Sequence, residues 1–152
     1  MPSIGQFLGA DHHRCDEFFL SAERAVDAQD WETAEASFND FRQATERHFS
    51  MEEQVLFTAF EAHAGAAGPS QVMRREHEQM RELFSDLAGA LLRRAAAEFL
   101  GVSDTLLMLM RQHNMKEEQI LYLMCDRLLA AGSAELIVRM REVQALSSSE
   151  SA

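Results

Sequence analysis

The feature that most constrains the fold of this chain is an internal repeat that relates its two halves by one constant offset. Residues 48–57 match residues 113–122 with five identities in ten positions and conservative Val/Ile and Phe/Tyr exchanges. The same offset aligns Asp11-His12 with Glu76-His77. A single shift therefore relates the two halves of the chain, and it predicts two copies of one helical hairpin.

Composition and apolar spacing both predict helix. Prolines occur only at Pro2 and Pro69, while Ala, Leu, Glu, Arg and Met are abundant and β-branched residues are scarce. Apolar residues recur at steps of three and four in four segments, as amphipathic helices require. The predicted buried faces comprise Cys15, Phe19, Ala22 and Val26; Phe38, Phe41, Thr45, Met51, Val55 and Ala59; Met73, Met80, Phe84, Leu87 and Leu91; and Val102, Leu106, Leu109, Ile120 and Met124.

Polar or glycine-rich breaks separate these segments. Residues 27–30 form a short turn in which Asp30 is a good N-cap, residues 65–70 hold the clearest breaker, and a weaker break falls near residues 93–97. Because four amphipathic segments follow one another with short breaks, we predict an all-α fold, a four-helix bundle.

The C-terminal part of the chain is predicted separately. Gly132-Ser133 ends the fourth helix, and a short C-terminal helix follows with four apolar residues, Leu136, Ile137, Met140 and Val143. We predict one domain over residues 1–146 and a disordered tail over residues 147–152.

Four of the six histidines are predicted to lie at one height in the bundle. His12 and His48 stand equally far along the chain from a turn centred at Asp30, on either side of it. His77 precedes and His113 follows a turn near Ala95, each by the same number of residues that separates His12 and His48 from Asp30. Equal distances from the turn of an antiparallel hairpin mean equal heights, at ~1.5 Å per residue. The four imidazoles are therefore expected to meet in one layer.

These four histidines also fall on the predicted apolar faces, and two glutamates accompany them. Glu52 and Glu117 come four residues after His48 and His113, one turn along the same face. Burying such a set without a cation would cost many kcal/mol. The predicted metal ligands are His12, His48, Glu52, His77, His113 and Glu117.

The remaining histidines and two further glutamates are not among the predicted metal ligands. His13 and His63 are expected in solvent, because their faces carry charge or lie at a helix end. Glu53 and Glu118 repeat faithfully but lie about 100° around the helix from their neighbours. They are either charges on the protein surface or groups that contact the metal-binding histidines on the side away from the metal.

Imidazole with carboxylate suits iron, zinc, manganese or copper, whereas magnesium and calcium prefer oxygen alone. Each glutamate could bridge two ions, so that each ion receives two histidines and one oxygen from each bridge. Four protein ligands per ion would leave exchangeable positions on a six-coordinate ion. The ferritin-like Glu-x-x-His pattern is absent.

Asp11-His12, His48-x-x-x-Glu52-Glu53, Glu76-His77 and His113-x-x-x-Glu117-Glu118 resemble the motifs of the hemerythrin-like (HHE cation-binding) family, over roughly residues 8–130. The resemblance implies an up-down-up-down antiparallel four-helix bundle with two iron ions in an oxo- or hydroxo-bridged di-iron centre, in preference to zinc or manganese. Members carry or sense dioxygen, handle nitric oxide or peroxide, sense iron, or help restore iron–sulfur centres.

Two departures from the oxygen-carrying members bear on function. Those carriers have a His-x-x-x-His pair on the third helix, but here Met73 precedes His77 by four residues and Arg81 follows it by four. Their last carboxylate is an Asp five residues after the histidine, where this chain has Glu118; Glu117 fits the repeat better as the ligand, and Glu118 is the alternative. The missing fifth histidine argues against reversible oxygen carriage.

The formal net charge of −11 argues against nucleic acid and anionic membranes as partners. No apolar run approaches the ~20 residues of a membrane span, and no signal peptide is recognisable, so a cytoplasmic location is expected.

Cys15 and Cys125 form no disulfide framework. Cys15 is read as a small buried residue, with a thiol that reacts with oxidants or nitric oxide as the alternative.

Three functions stay open on the sequence. The chain is predicted to be a non-haem di-iron protein that binds dioxygen or nitric oxide as a sensor, scavenger or store. It could instead be an enzyme that reduces peroxide or nitric oxide, or a metal store with a structural cation. A protein partner or a homodimer is compatible with each.

Overall fold

The computed structural model describes the backbone of residues 2–151 and the side chains of residues 2–146, and all of its regular structure is helical. The helices in chain order are α1 (Ile4–Asp27), α2 (Trp31–Met51), a π-helical turn π1 (Glu52–Leu56), α3 (Phe57–Ala64), α4 (Pro69–Leu92), α5 (Ala96–Lys116), a second π-helical turn π2 (Glu117–Leu121), α6 (Tyr122–Leu128), a 3₁₀ turn (Ala130–Gly132) and α7 (Ser133–Ser151). The predicted all-α class is confirmed for the described residues.

Two pairs of segments join end to end into long helices. We call α2, π1 and α3 together the second helix, and α5, π2 and α6 together the fourth helix; α1 and α4 are the first and third. None of the described helices is both long enough and apolar enough to cross a bilayer.

Local sequence explains where the helices begin. The Ser3 hydroxyl accepts from the Gln6 backbone N–H, and the Gln6 side chain accepts from the Ser3 backbone N–H, which is a capping box. Asp30 caps α2 through the Thr33 N–H, at 3.3 Å. Pro69 is the first residue of α4, after Gly68 at φ 144°.

The two hairpin turns have the same backbone, which supports the repeat seen in the sequence. Gln29 and Arg94, which are equivalent positions of the repeat, both adopt a left-handed conformation, with φ of 56° and 52°. Each turn is then closed by an N–H···O bond of 2.9 Å, from Asp30 to Ala25 and from Ala95 to Ala90. The weakly marked third break is therefore a structural copy of the first.

Packing between the helices produces two apolar clusters with the histidine layer between them. The cluster toward the hairpin turns is aromatic and includes Phe19, Phe38, Phe41, Phe84 and Phe99. The other cluster includes Leu8, Leu56, Phe60, Leu121 and Ile137. Because His12 follows Leu8 and precedes Phe19 on one face of α1, the chain passes from one cluster to the other at the height of the histidines.

The C-terminal helix α7 packs mainly on the first half of the repeat, against α2, π1 and α1. Leu136, Ile137 and Met140 are buried in the cluster that contains Val55, and the predicted apolar face of this segment is confirmed. The helix has 19 residues and is longer than the short segment predicted. The tail expected to be disordered, residues 147–152, lies outside the residues whose side chains are described, so that expectation and the single-domain boundary at 146 stay predictions.

The predicted face of the fourth helix is only partly correct: Leu106 is buried, Val102, Leu109 and Met124 are partly buried, and Ile120 is on the surface. The apolar pattern puts Ile120 on the buried face of the fourth helix, but its side chain is 54% exposed. Its equivalent in the repeat, Val55, is 3% exposed because α7 packs against that half. No such helix covers Ile120 among the described residues, so the same position is core in one half and surface in the other.

Candidate metal centre

Four histidines from four different helices meet in the middle of the protein. His12 lies on α1, His48 on α2, His77 on α4 and His113 on α5, and all four are buried. Their rings form two close pairs, with centroids 4.5 Å apart for His12 and His48 and 5.0 Å apart for His77 and His113.

Glu52 and Glu117 lie between the two histidine pairs, and neither side chain is exposed. Glu117 Oε1 lies 3.1 Å from His12 Nε2 and 3.2 Å from His113 Nε2. Glu52 Oε1 lies 3.5 Å from His48 Nε2 and 3.2 Å from His77 Nε2. Each carboxylate therefore contacts one histidine of each pair, which is the position that a bridging ligand occupies.

The two glutamates stand at the first residue of each π-helical turn. The backbone N–H of Phe57 donates to the Glu52 carbonyl, and that of Tyr122 donates to the Glu117 carbonyl, five residues back in each case. In an α-helix a residue five positions on points ~140° away, but the wider turn brings it back toward the same side. Such turns often occur at functional sites, and a search for 3.6-residue periodicity does not detect them.

Several buried atoms of the predicted ligands have no hydrogen-bond partner. Their positions indicate whether a cation would fit among them. Glu52 Oε1, His77 Nε2, His113 Nε2 and Glu117 Oε2 are all buried without a hydrogen-bond partner. Unpaired polar atoms in the interior cost free energy, and a cation among them would satisfy them together. The nitrogen and oxygen donors suit a first-row transition metal, so the residues present fit a metal centre.

Two groups of potential ligand atoms are close enough to hold one ion each. Glu52, His77, His113 and Glu117 form the first, and His12, His48 and Glu117 form the second, with the atoms of each group within 4.8 Å of one another. The structure thus brings together all six residues that the sequence predicted as ligands. That they bind metal stays a prediction.

A second ring of carboxylates holds three of the histidines from outside. His48 Nδ1–H donates to Asp11 at 2.8 Å, His77 Nδ1–H to Glu53 at 2.7 Å, and His113 Nδ1–H to Glu76 at 2.8 Å. Such bonds fix the tautomer in which Nε2 faces the centre, and they increase the basicity of the ligand. The open question about Glu53 is settled, because it orients a predicted ligand.

The equivalent of Glu53 in the repeat behaves differently. Glu118 is 41% exposed, and its nearest oxygen lies 3.5 Å from His12 Nδ1, which has no hydrogen-bond partner. Arg81 explains the difference, because its guanidinium donates to both oxygens of Glu53 at 3.0 Å. At the position equivalent to Arg81 stands Asp16, whose negative charge repels Glu118. His12 is therefore the least firmly oriented of the four histidines.

Charges within the layer perturb the titration of its members. Burial alone would lower the pKa of His113, but the negative charge of Glu117 and the hydrogen bond to Glu76 raise that pKa to about 10. Burial is likewise outweighed at His48, where the charge of Glu52 and the bond to Asp11 hold the pKa well above its usual value. Two buried carboxylates thus attract positive charge strongly, whether it arrives as protons or as metal.

Tyr122 is the residue of the centre that sequence reasoning missed. Its fully buried hydroxyl donates to Glu52 Oε2 at 2.7 Å and lies 3.0 Å from Glu117 Oε1. Burial and the negative charges of Glu117 and Glu52 hold its pKa well above the usual value. The Phe57/Tyr122 exchange in the repeat was the available signal, since it places an oxygen in one half and none in the other.

The other residues considered from the sequence lie outside the centre. His13 and His63 are exposed, as expected. Met73, at the position of the missing fifth histidine, is buried in an apolar cluster. Cys15 lies beside the centre in the wall of a small cavity, and burial raises the pKa of its thiol.

Removing the carboxylate of Glu53 should weaken metal binding far more than removing that of Glu118, its equivalent in the second half of the repeat. We expect Glu53→Ala to raise the Kd for metal by ~10–100-fold, the usual effect of losing such a partner, because His77 Nδ1 loses its acceptor. Glu118→Ala is the matched control and should change the Kd little, since Glu118 makes no hydrogen bond to His12. Competition with a chromophoric chelator measures both, and equal weakening would contradict the asymmetry.

Comparison with models of protein families identifies a family that this chain matches. The model of the protein family described as the hemerythrin HHE cation binding domain matches residues 3–125. No curated protein and no solved structure matches the chain significantly.

Proposed function

This chain belongs to the hemerythrin HHE cation binding domain family, and on that premise we propose that it holds two iron ions and binds dioxygen or nitric oxide at them. One observation carries the proposal. Two groups of buried histidine and glutamate atoms lie side by side and share Glu117. Two iron ions held there would share the Glu117 carboxylate, and together they would supply the electrons needed to react with a diatomic molecule.

The helices that present these groups are proposed to run up-down-up-down. Short turns at residues 28–30 and 93–95 join the first helix to the second and the third helix to the fourth. Packing of α1 against α2 and of α4 against α5 supports two hairpins, and packing of α1 against α5 and of α2 against α4 supports their association. In this arrangement each hairpin supplies one histidine pair and one glutamate.

Each ion would have its own protein ligands. His12, His48 and Glu117 would hold one ion, and His77, His113, Glu52 and Glu117 the other. Iron is favoured over zinc because the function proposed is redox chemistry with a diatomic ligand, and zinc has no accessible second oxidation state. The donor set itself accepts either metal.

The space around the centre supports a small ligand. A groove of about 390 Å³ runs along α1 and α5 and reaches His12, Met110 and Asn114. The same three residues also line a cavity of about 10 Å³ beside His48. A volume of that size is about the least that holds one water molecule, so a diatomic ligand would have to widen the cavity somewhat, and a larger substrate would have to widen it more.

Reaction with dioxygen tests the proposal. The protein loaded with ferrous iron should change its visible spectrum within minutes of mixing with dioxygen, and nitric oxide should also change it. It should hold dioxygen poorly in reversible form, because Met73 is a buried thioether where the carriers have a fifth histidine. Stopped-flow absorption measures both reactions.

Two outcomes would contradict this reading. A spectrum that returns to that of the ferrous protein under vacuum would indicate a reversible carrier. The absence of any spectral change, with two irons present by elemental analysis, would indicate a structural cation.

A further inference from the structure

The hydroxyl group of Tyr122 occupies an unusual position, close to four predicted ligand atoms at once. Its oxygen lies 2.7 Å from Glu52 Oε2 and 3.0 Å from Glu117 Oε1. It also lies 3.3 Å from His12 Nε2 and 3.4 Å from His48 Nε2. The two remaining histidines make no such contact with it among the described side chains.

The three distances to Glu117 Oε1, His12 Nε2 and His48 Nε2 match the spacing between ligands of one metal ion. Nitrogen and oxygen ligands lie ~2.0–2.2 Å from a first-row ion, so neighbouring ligand atoms around it are about 2.8–3.6 Å apart. Hydrogen bonding satisfies only part of the arrangement: the hydroxyl can accept from the imidazoles, but its single proton can serve only one of the two carboxylate oxygens beside it. A cation among these atoms would interact with all of them.

Comparison of the two halves of the repeat shows what the Tyr122 hydroxyl oxygen adds. Phe57 is the equivalent of Tyr122, and both directly follow a π-helical turn. The Phe57 ring centroid lies 5.7 Å from that of His77, and the Tyr122 ring centroid lies 5.8 Å from that of His12. The two rings are therefore placed alike, and the halves differ in that one ring carries an oxygen atom.

We propose that Tyr122 is a seventh protein ligand of the centre, and that its phenolic oxygen binds the ion held by His12, His48 and Glu117. This inference rests on the proposed two-ion function. On coordination the O–H bond breaks, an oxygen–metal bond forms, and the proton leaves to water. The two ions then differ, with a phenolate on the His12 side and only imidazole and carboxylate from the protein on the His77 side.

The absence of any other tyrosine makes the test specific. The chain contains one tyrosine, so any tyrosinate signal belongs to Tyr122. The full-length protein is loaded with ferrous iron, oxidised in air, and analysed for iron per chain. Ferric phenolate gives a visible charge-transfer band, and Raman excitation in that band enhances tyrosinate ring vibrations that shift when the tyrosine is ring-deuterated.

We expect the tyrosinate vibrations in the wild-type protein and their complete loss in Tyr122→Phe. That variant should fold, because the equivalent position already holds phenylalanine. Phe57→Leu is the control on the other half, and it should keep the vibrations.

The ligand assignment is overturned if the oxidised wild-type protein holds iron but shows no deuterium-sensitive tyrosinate vibrations, a result that needs no variant. Iron analysis tests the proposed function separately. Two irons without the vibrations would leave the two-ion centre standing and remove Tyr122 from it. One iron with the vibrations would support Tyr122 as a ligand and contradict the two-ion centre.

Discussion

His77→Ala is expected to lose most of one metal ion per chain, whereas His13→Ala keeps both. The His77 side chain is completely buried, and its Nε2 lies 3.2 Å from Glu52 Oε1. Without it, His113 is the one histidine left to the ion on that side. Because even the loss of an outer partner weakens metal binding ~10–100-fold, loss of the ligand itself should cost more than that.

His13→Ala is the matched control, since it removes the same side chain from an exposed position next to a predicted ligand. Elemental analysis after loading with excess metal and desalting gives the number of ions per chain. Equal losses in the two variants would mean that the face of α1 turned toward the centre has been misassigned.

Removal of the metal should lower the thermal stability markedly. Metal-free protein retains two fully buried carboxylates, Glu52 and Glu117, and four buried histidines in one layer. An ion present at 1,000 times its Kd contributes ~4.1 kcal/mol to the free energy of unfolding. For a domain of this size 1 kcal/mol corresponds to ~2–4 °C in Tm, so we expect a fall of roughly 8–16 °C for each ion removed.

Differential scanning calorimetry with and without a chelator measures this effect. The variant Glu52→Gln/Glu117→Gln controls for the chelator itself, because it keeps the side-chain volumes but should hold no metal. Its Tm should not respond to the chelator. If the chelator strips the wild-type protein of metal and the Tm stays unchanged, the buried set is stable without a cation and the argument from burial fails.

Much of the centre followed from local sequence properties. An α-helix places residues four apart on one face, so Glu52 had to accompany His48, and Glu117 had to accompany His113. Equal distance from a turn placed the four histidines at one height. Both inferences use only the regular geometry of a helix and of a hairpin, and the structure brings all six residues together.

The π-helical turns could not be predicted in this way. They widen the second and fourth helices at Glu52 and Glu117, and they turn Phe57 and Tyr122 toward the centre. A pattern based on 3.6 residues per turn carries no information about a single inserted residue. That is why Tyr122 was missed, although the repeat containing it had been recognised.

The sequence by itself determined the helical class, the turns, the repeat and the six predicted ligands, because each depends on spacing along one chain segment. Only the tertiary structure decided what distinguishes the two halves. Arg81 on the third helix holds Glu53, whereas Asp16 on the first repels Glu118. The C-terminal helix buries Val55 and leaves Ile120 exposed. These differences depend on which side chains neighbouring helices bring into contact, and nearly identical sequence segments therefore acquire different environments.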